Sequence, residues 1–132
     1  MLFSTRAEYG VRLMVELGRQ EDGAPVALSA VAESERLPLS YLEHLVAKLR
    51  KAGLVESQRG AHGGYRLGRP ADRIEMLEVV QALDGKVGQE AEEAGGIWAE
   101  GVAALRKVFG QTTIAEVARR EAEEAGSGMY FI

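Results

Sequence analysis

The stretch LSYLEHLVAKLRKAGLVESQRGAHGGYRLG, Leu39 to Gly68, decides how this 132-residue chain is read. Its first half has helical period, with Leu42, Leu45, Val46 and Leu49 at i, i+3, i+4 and i+7. Ser40 and Glu43 have the S-x-x-E spacing of a capping box. Gly53 suits the left-handed position just past a helix, with Leu54 behind it to pack on Leu49. Tyr41, His44, Lys48 and Lys51 fall largely on the opposite side. The second half abandons that period. LVESQ and GYRLG read as two short strands, and RGAHGG between them is too rich in glycine for a helix and long enough for a hairpin tip.

Upstream, TRAEYGVRLMVELGRQ (5–20) reads as a first helix, with Thr5 and Glu8 as a T-x-x-E box and EDGAP as its breaker. LSAVAESERLPLS (28–40) reads as a short helix capped by Ser29, then a turn at Pro38. A short helix, a turn and a basic amphipathic helix make helix-turn-helix order, and a hairpin directly after it makes a winged helix.

Charge is distributed unevenly. The formal net charge is −4, yet Arg36 to Arg69 holds seven Lys and Arg against two Glu. From Ala71 onward twelve acids face six bases. This asymmetry fits a polyanion-facing front and an acidic rear. The chain has no cysteine, which excludes disulfides, thiolate zinc sites and cluster ligation by its own thiols. No run is apolar and long enough to span a membrane, and MLFSTRAEYG does not read as a signal peptide. A soluble, cytoplasmic protein is expected.

Three readings compete for the glycine-rich loop. A nucleotide cradle needs G-x-x-x-x-G-K-[ST] or a G-x-G-x-x-G turn between strand and helix, and neither is present. A metal loop needs several ligands, and His62 stands alone. No G-x-S-x-G or H-E-x-x-H occurs, so no catalytic residue is assigned. A DNA wing needs glycines such as Gly60 that admit close backbone approach, an Arg59 at the tip for the minor groove, and Arg66 and Arg69 for phosphates. Hairpin geometry alone also accounts for the glycines. On the preceding helix, Ser40, Glu43 and His44 are the candidates for base edges, Tyr41 for phosphate or packing, and Lys48, Arg50 and Lys51 for non-specific attraction.

Downstream, RIEMLEVVQALDG (73–85) is helical, KVGQEAEEAGG (86–96) is expected to be a mobile acidic loop, and IWAEGVAALRKVFG (97–110) carries Trp98, Gly101, Val102, Leu105 and Phe109 on one stripe. TTIAEVARREAEEAG (112–126) starts a last helix at the Thr113–Glu116 box. This half offers stripes without a compact partner layer. An exposed stripe of that size is a liability on a monomer, so burial against a second copy is expected. The alternative is folding back on the N-terminal half.

The motifs S-Y-L-E, L-R-K-x-G-L-V, R-G-x-x-G-G-Y-x-L and the following I-x-x-x-E-V-V helix together resemble the IscR-type winged-helix transcriptional regulators, the iron–sulfur cluster regulator family. The opening T-R-A-E-Y-G-V-R-L-M and the terminal MYFI fit as well. The resemblance implies a homodimeric transcription factor, usually a repressor, on a partly palindromic double-stranded operator. It implies that the helix around Ser40, Glu43 and His44 reads the major groove while Arg59 enters the minor groove. It also implies that WAEGVAALRKVFGQTTIAEV, 98–117, holds the long dimerisation helix and the next helix. Cluster-binding members carry three cysteines and a further ligand ahead of that helix, where this chain has KVGQEAEEAGGIW. No cluster and no other cofactor is therefore expected, which leaves two alternatives: a small-molecule or protein effector, or a constitutive DNA binder that has lost its sensor.

The expected architecture is mainly α. A winged helix-turn-helix of three helices plus a two-stranded wing occupies 1–70. A helical dimerisation or effector region occupies 71–132, with a long helix near 95–110. The alternative function is a protein-interaction module on the same scaffold with DNA binding lost.

Overall fold

The computed structural model describes residues 3–128, so the terminal MYFI motif lies outside the described residues. Seven α-helices and one hairpin follow in order: α1 (Thr5–Gly18), α2 (Leu28–Glu35), α3 (Leu39–Lys51), β1 (Val55–Gln58), β2 (Gly64–Leu67), α4 (Met76–Asp84), α5 (Gln89–Ala94), α6 (Gly96–Gln111) and α7 (Ile114–Gly128). The three helices plus wing are as expected, and so is the long helix.

One core joins both halves of the chain. Leu13, Met14, Leu42, Leu45, Leu49, Ile74, Val79 and Ile114 are buried almost completely. Each such aliphatic side chain contributes roughly 2 kcal/mol of transfer free energy. The second half is thus less bare than its sequence implies, because Val87 and Ile114 belong to the core. Short pairings fasten the junctions. Val26 exchanges two backbone hydrogen bonds of 2.8 Å with Tyr65, which docks the α1–α2 connection onto the hairpin. Met76 donates to Thr112 and Ile114 to Ile74, which ties the α6–α7 junction to the start of α4.

Several helix starts differ from the sequence expectation. Ser4, not Thr5, caps α1, and its hydroxyl accepts from the Ala7 amide while also binding Asp84 across the fold. Ala27 occupies the cap of α2, so Ser29 lies inside the helix. Pro38 occupies the cap of α3 with no side-chain bond, so Ser40 and Glu43 form no capping box. The reason is common to all three. The residue one or two positions earlier already has the extended backbone that starts the helix, so Thr5, Ser29 and Ser40 fall inside it rather than at its cap. Thr113 does cap α7, accepting from the Glu116 amide. A box with no serine or threonine was passed over: Glu75 and Glu78 cap α4 reciprocally.

The acidic segment 86–96 is not a loop throughout, since α5 forms within it. Arg106 of α6 donates from Nε and NH2 to the Val87 carbonyl and pairs through NH1 with Glu92. The Arg106 hydrogen bond holds the Glu92 carboxyl below the usual carboxylate range, and the charges of Arg106 and Lys86 act in the same direction. An arginine 14 and 19 residues downstream of its two partners thus helps to order a stretch whose one core residue is Val87.

The wing glycines have a structural demand. A Cβ on Gly64 would collide with the Val26 carbonyl, at the bridge that docks the hairpin. Gly60 has φ +112 with open space around it, so only backbone conformation restricts that site.

Two outcomes are expected. Gly64→Ala should lower unfolding free energy by about 2 kcal/mol or more and Gly60→Ala by about 1 kcal/mol, read as urea midpoints at unchanged slope. Arg106→Ala should abolish hydrogen-exchange protection in Gln89–Ala94 while leaving that of the wing intact.

Candidate nucleic-acid interface

Helix α3 buries Leu42, Leu45, Val46 and Leu49 and turns the rest outward. Ser40, Glu43, His44 and Lys51 are all exposed, spaced so that they share one face with Ala47. No capping bond engages Ser40, so its hydroxyl and the Glu43 carboxylate are released from the role that competed with base contact. Lys48 is half-buried and Arg50 exposed. These two and Lys51 fill the last turn, where cations also favour the helix dipole. Tyr41 leans inward. Its ring meets Tyr9 of α1 edge-on at 6.1 Å, so it positions the start of α3 against α1.

The turn ahead of α3 is tight. Arg36 adopts the left-handed conformation, φ 56, and the amide of Leu37 returns to the Ala32 carbonyl at 3.0 Å. Pro38 then starts α3. Sequence reasoning passed over Leu39, which is 42% exposed at the head of that helix. An apolar side chain at that position is suited to a thymine methyl. The signal available was its place between Pro38 and Ser40.

The wing pairs Val55 with Leu67, Glu56 with Arg66, Ser57 with Tyr65 and Gln58 with Gly64, antiparallel. Its arginines fall into two groups. Arg66 pairs with Glu56 at 3.2 Å and with Gln58 at 3.3 Å across the hairpin, in a partly exposed position. Arg69 donates to the Arg73 carbonyl at 3.0 Å and to Glu78 at 2.7 Å. Burial alone would raise the Glu78 carboxyl, but the Arg69 hydrogen bond, the Glu75 amide and the Arg69 charge together hold it below its ordinary value. Arg69, expected to take phosphate, is therefore engaged in bracing the wing root to α4. Arg59 is different. It is exposed at the tip beside Gly60, with no hydrogen bond or ion pair among the described residues. His62 is exposed in the same turn, and no group of His, Cys, Asp and Glu among the described residues could hold a metal ion.

The stripe on α6 divides in two. Leu105 and Phe109 lean onto the core, Phe109 with its ring 5.1 Å from that of Phe3, and Val102 meets Gly88. Gly101 is exposed, and Trp98 is 67% exposed. Ile97 at 71% and Val108 at 57% are further apolar groups on the outward face, and the sequence reading did not single them out. Folding back and an outward face thus coexist on one helix.

Residues 3–120 match the Rrf2 family, described as "Iron-dependent Transcriptional regulator". The chain is 35% identical to the HTH-type transcriptional regulator CymR of Bacillus subtilis over the full length of both. It is 42% identical to the HTH-type transcriptional regulator IscR of Xenorhabdus nematophila over 66% of this chain and 53% of that protein. The structure of CymR, titled the global cysteine regulator of B. subtilis, superposes with a TM-score of 0.82 at 33% identity, covering 91% of this chain and 98% of the other. That of T. potens IscR gives 0.79 at 36% identity, over 95% and 90%. The iron in the family description finds no thiolate donor here. The chain has no cysteine, and the segment from Lys86 to Trp98 offers glutamates alone as ionisable ligands beside one lysine, of which Glu92 is occupied by Arg106. Those residues do not fit an iron–sulfur cluster. With a family match across nearly all its length and a full-length relative above 30% identity, the chain belongs to the Rrf2 family of DNA-binding transcriptional regulators.

Proposed function

We propose that this regulator is a homodimeric repressor that binds a partly palindromic operator without an iron–sulfur cluster of its own. The observation that carries the reading is the pairing of an uncapped, outward-facing Ser40, Glu43 and His44 on α3 with an Arg59 that has no partner among the described residues. On this reading Ser40, Glu43 and His44 contact base edges in the major groove, and Arg59 enters the minor groove with Gly60 close to the sugar–phosphate ridge. Tyr41, Lys48, Arg50, Lys51 and Arg66 supply backbone contacts, for which Arg66 exchanges Glu56 for phosphate.

Residues 1–70 then act as the DNA-reading unit, and 71–132 as the dimerisation and effector region. Trp98, Gly101, Val102, Leu105 and Phe109 support the subunit contact, the first two directly and the others by shaping the helix that bears them. An effector other than a resident cluster, a small molecule or a protein, sets the DNA-bound state. We read the chain as a cytoplasmic regulator rather than an enzyme. Among the described residues no helix is long and apolar enough to cross a membrane.

Binding to the promoter of its own gene, measured at several salt concentrations, tests the reading. The logarithm of affinity should fall by about 0.9 per phosphate contact for each unit of log salt. Arg59→Ala should weaken specific binding about tenfold or more, and His44→Ala should relax discrimination by about 1–3 kcal/mol at one base pair. An affinity independent of salt, or equal for all sequences, would overturn it. The interaction-module alternative is supported instead if Arg59→Ala and Lys48→Ala alter capture of a protein partner while no DNA shift occurs. Light scattering should give twice the 14.3 kDa chain mass, and a value near the single mass would exclude the homodimer.

A further inference from the structure

Arg12 of α1 lies outside the residues assigned to DNA, yet it touches both helices of the helix-turn-helix. Its guanidinium is 5.3 Å from the centre of the Tyr9 ring and 3.9 Å from the carboxylate of Glu35, the last residue of α2. Tyr9 in turn meets Tyr41, near the head of α3, edge-on. A carboxylate at the C-terminal end of a helix opposes the helix dipole, so the Arg12 charge offsets a local cost at Glu35. One exposed arginine thus reaches the end of α2 directly and the start of α3 through one ring.

The same arginine borders a hollow of 330 Å³ between α1, α4, α6 and α7. Apolar side chains line it, among them Val11, Met76, Val80, Phe109 and Val117, together with Glu8, Arg12 and Glu121. Glu8 and Arg12 are exposed and Glu121 is half-buried, so the charges stand at the rim. Their present engagements are loose. Glu8 makes no ion pair among the described residues, because the Arg12 one turn on is turned to Tyr9 and Glu35. Arg19 keeps Glu16 at 2.7 Å and reaches Glu121 only at 3.5 Å. Exposed pairs of this kind are weak enough to be exchanged. A second hollow of 350 Å³ shares Met76, Phe109 and Val117 and gives room for a longer side chain.

An apolar hollow with a few convergent polar groups suits a small organic ligand, and this one is near the lower end of the usual size range. Its rim sets one cation against two carboxylates. A monoacid with an apolar tail would satisfy Arg12 but meet two glutamates. An apolar amine would satisfy the glutamates but meet Arg12. An α-amino acid with an apolar side chain answers all three, with its carboxylate on the Arg12 fork and its ammonium on Glu8 and Glu121.

We propose that this hollow is an effector site for a free α-amino acid with an apolar side chain, whose binding draws Arg12 from Glu35 and Tyr9 and weakens operator binding. The proposal rests on the reading of the chain as a DNA-binding regulator and names the class of its effector. Glu35 then loses its counter-charge beside the left-handed turn at Arg36, and Tyr9 loses the cation over the ring that packs on Tyr41. Ser40, Glu43 and His44 stand on the helix that this turn and this ring position. Linkage is reciprocal, so operator DNA weakens amino-acid binding by the same factor.

Equilibrium dialysis of the full chain with radiolabelled L-leucine, L-methionine and L-phenylalanine reads the site, and operator binding with each present reads the coupling. Saturable binding of at least one of them is expected. Its amide, which lacks the carboxylate, and its deaminated acid, which lacks the ammonium, should each bind about tenfold more weakly or worse. Glu8→Gln and Arg12→Gln should weaken binding of the amino acid by a similar factor. Glu8→Gln breaks no ion pair among the described residues, which keeps the test independent of any loss of folding at Arg12. Saturating amino acid should lower operator affinity about fivefold or more. No saturable binding of any of the three overturns the site, while a salt-dependent, sequence-specific operator complex leaves the regulator reading standing. An amide or deaminated acid that binds as well as its parent overturns the zwitterion assignment. Amino-acid binding that operator DNA leaves unchanged overturns the coupling. Binding that falls as protein concentration rises gives the hollow to a second copy and overturns the site as well. A chain that takes the amino acid but no operator overturns the regulator reading instead.

Discussion

Helix α1 is apolar around most of its circumference, and the rest of the molecule is arranged to cover it. Ala7, Val11, Leu13, Met14, Val15 and Leu17 are all buried, which no single packing partner could achieve. The helix therefore meets α3 and the hairpin on one side and α4 and α7 on the other. That is why residues far apart in the chain share one core, and why Ile114 is as deeply buried as Leu42. The helix that turns Ser40, Glu43 and His44 outward and the C-terminal helices α4 and α7 are mechanically joined through it.

The arginines show how tertiary contacts sort residues of equal sequence appeal. Arg59, Arg66 and Arg69 stand in one glycine-rich stretch, and each is exposed. Arg69 braces the wing root against Glu78, Arg66 shares a cross-strand pair, and Arg59 has neither kind of partner among the described residues. Surface pairs such as Glu56–Arg66 are weak enough to be exchanged for a phosphate. The Arg69 contact is reinforced by a second bond to the Arg73 carbonyl and by the capping box that Glu78 completes, so it is the costlier to break. Among the glycines of the same stretch, Gly64 is pressed against the Val26 carbonyl whatever the wing touches.

Much of the fold was legible because it rests on local periodicity. The 3–4 spacing of Leu42, Leu45, Val46 and Leu49 and the switch to two glycine-bounded strands need no knowledge of distant residues. Gly53 and Leu54 closed α3 as read, with the Leu54 amide returning to the Leu49 carbonyl. Helix starts were less legible. Capping depends on which residue leaves the helical conformation, and Ser4, Ala27 and Pro38 each took a place that a nearby serine or threonine had been given. The segment 86–96 was misread for a different reason. Its order comes from Arg106, which reaches it only after α6 has folded alongside.

The sequence by itself determined the winged helix-turn-helix, the basic stretch that carries its polar face, and the absence of any thiolate for a cluster, because period, charge and composition are properties of the chain before it folds. The tertiary structure decided which of those side chains remained available. Burial, backbone caps and ion pairs draw on neighbours supplied by distant segments, and they engaged Arg69, Phe109 and Glu92 while leaving Ser40, His44, Arg59 and Trp98 facing outward.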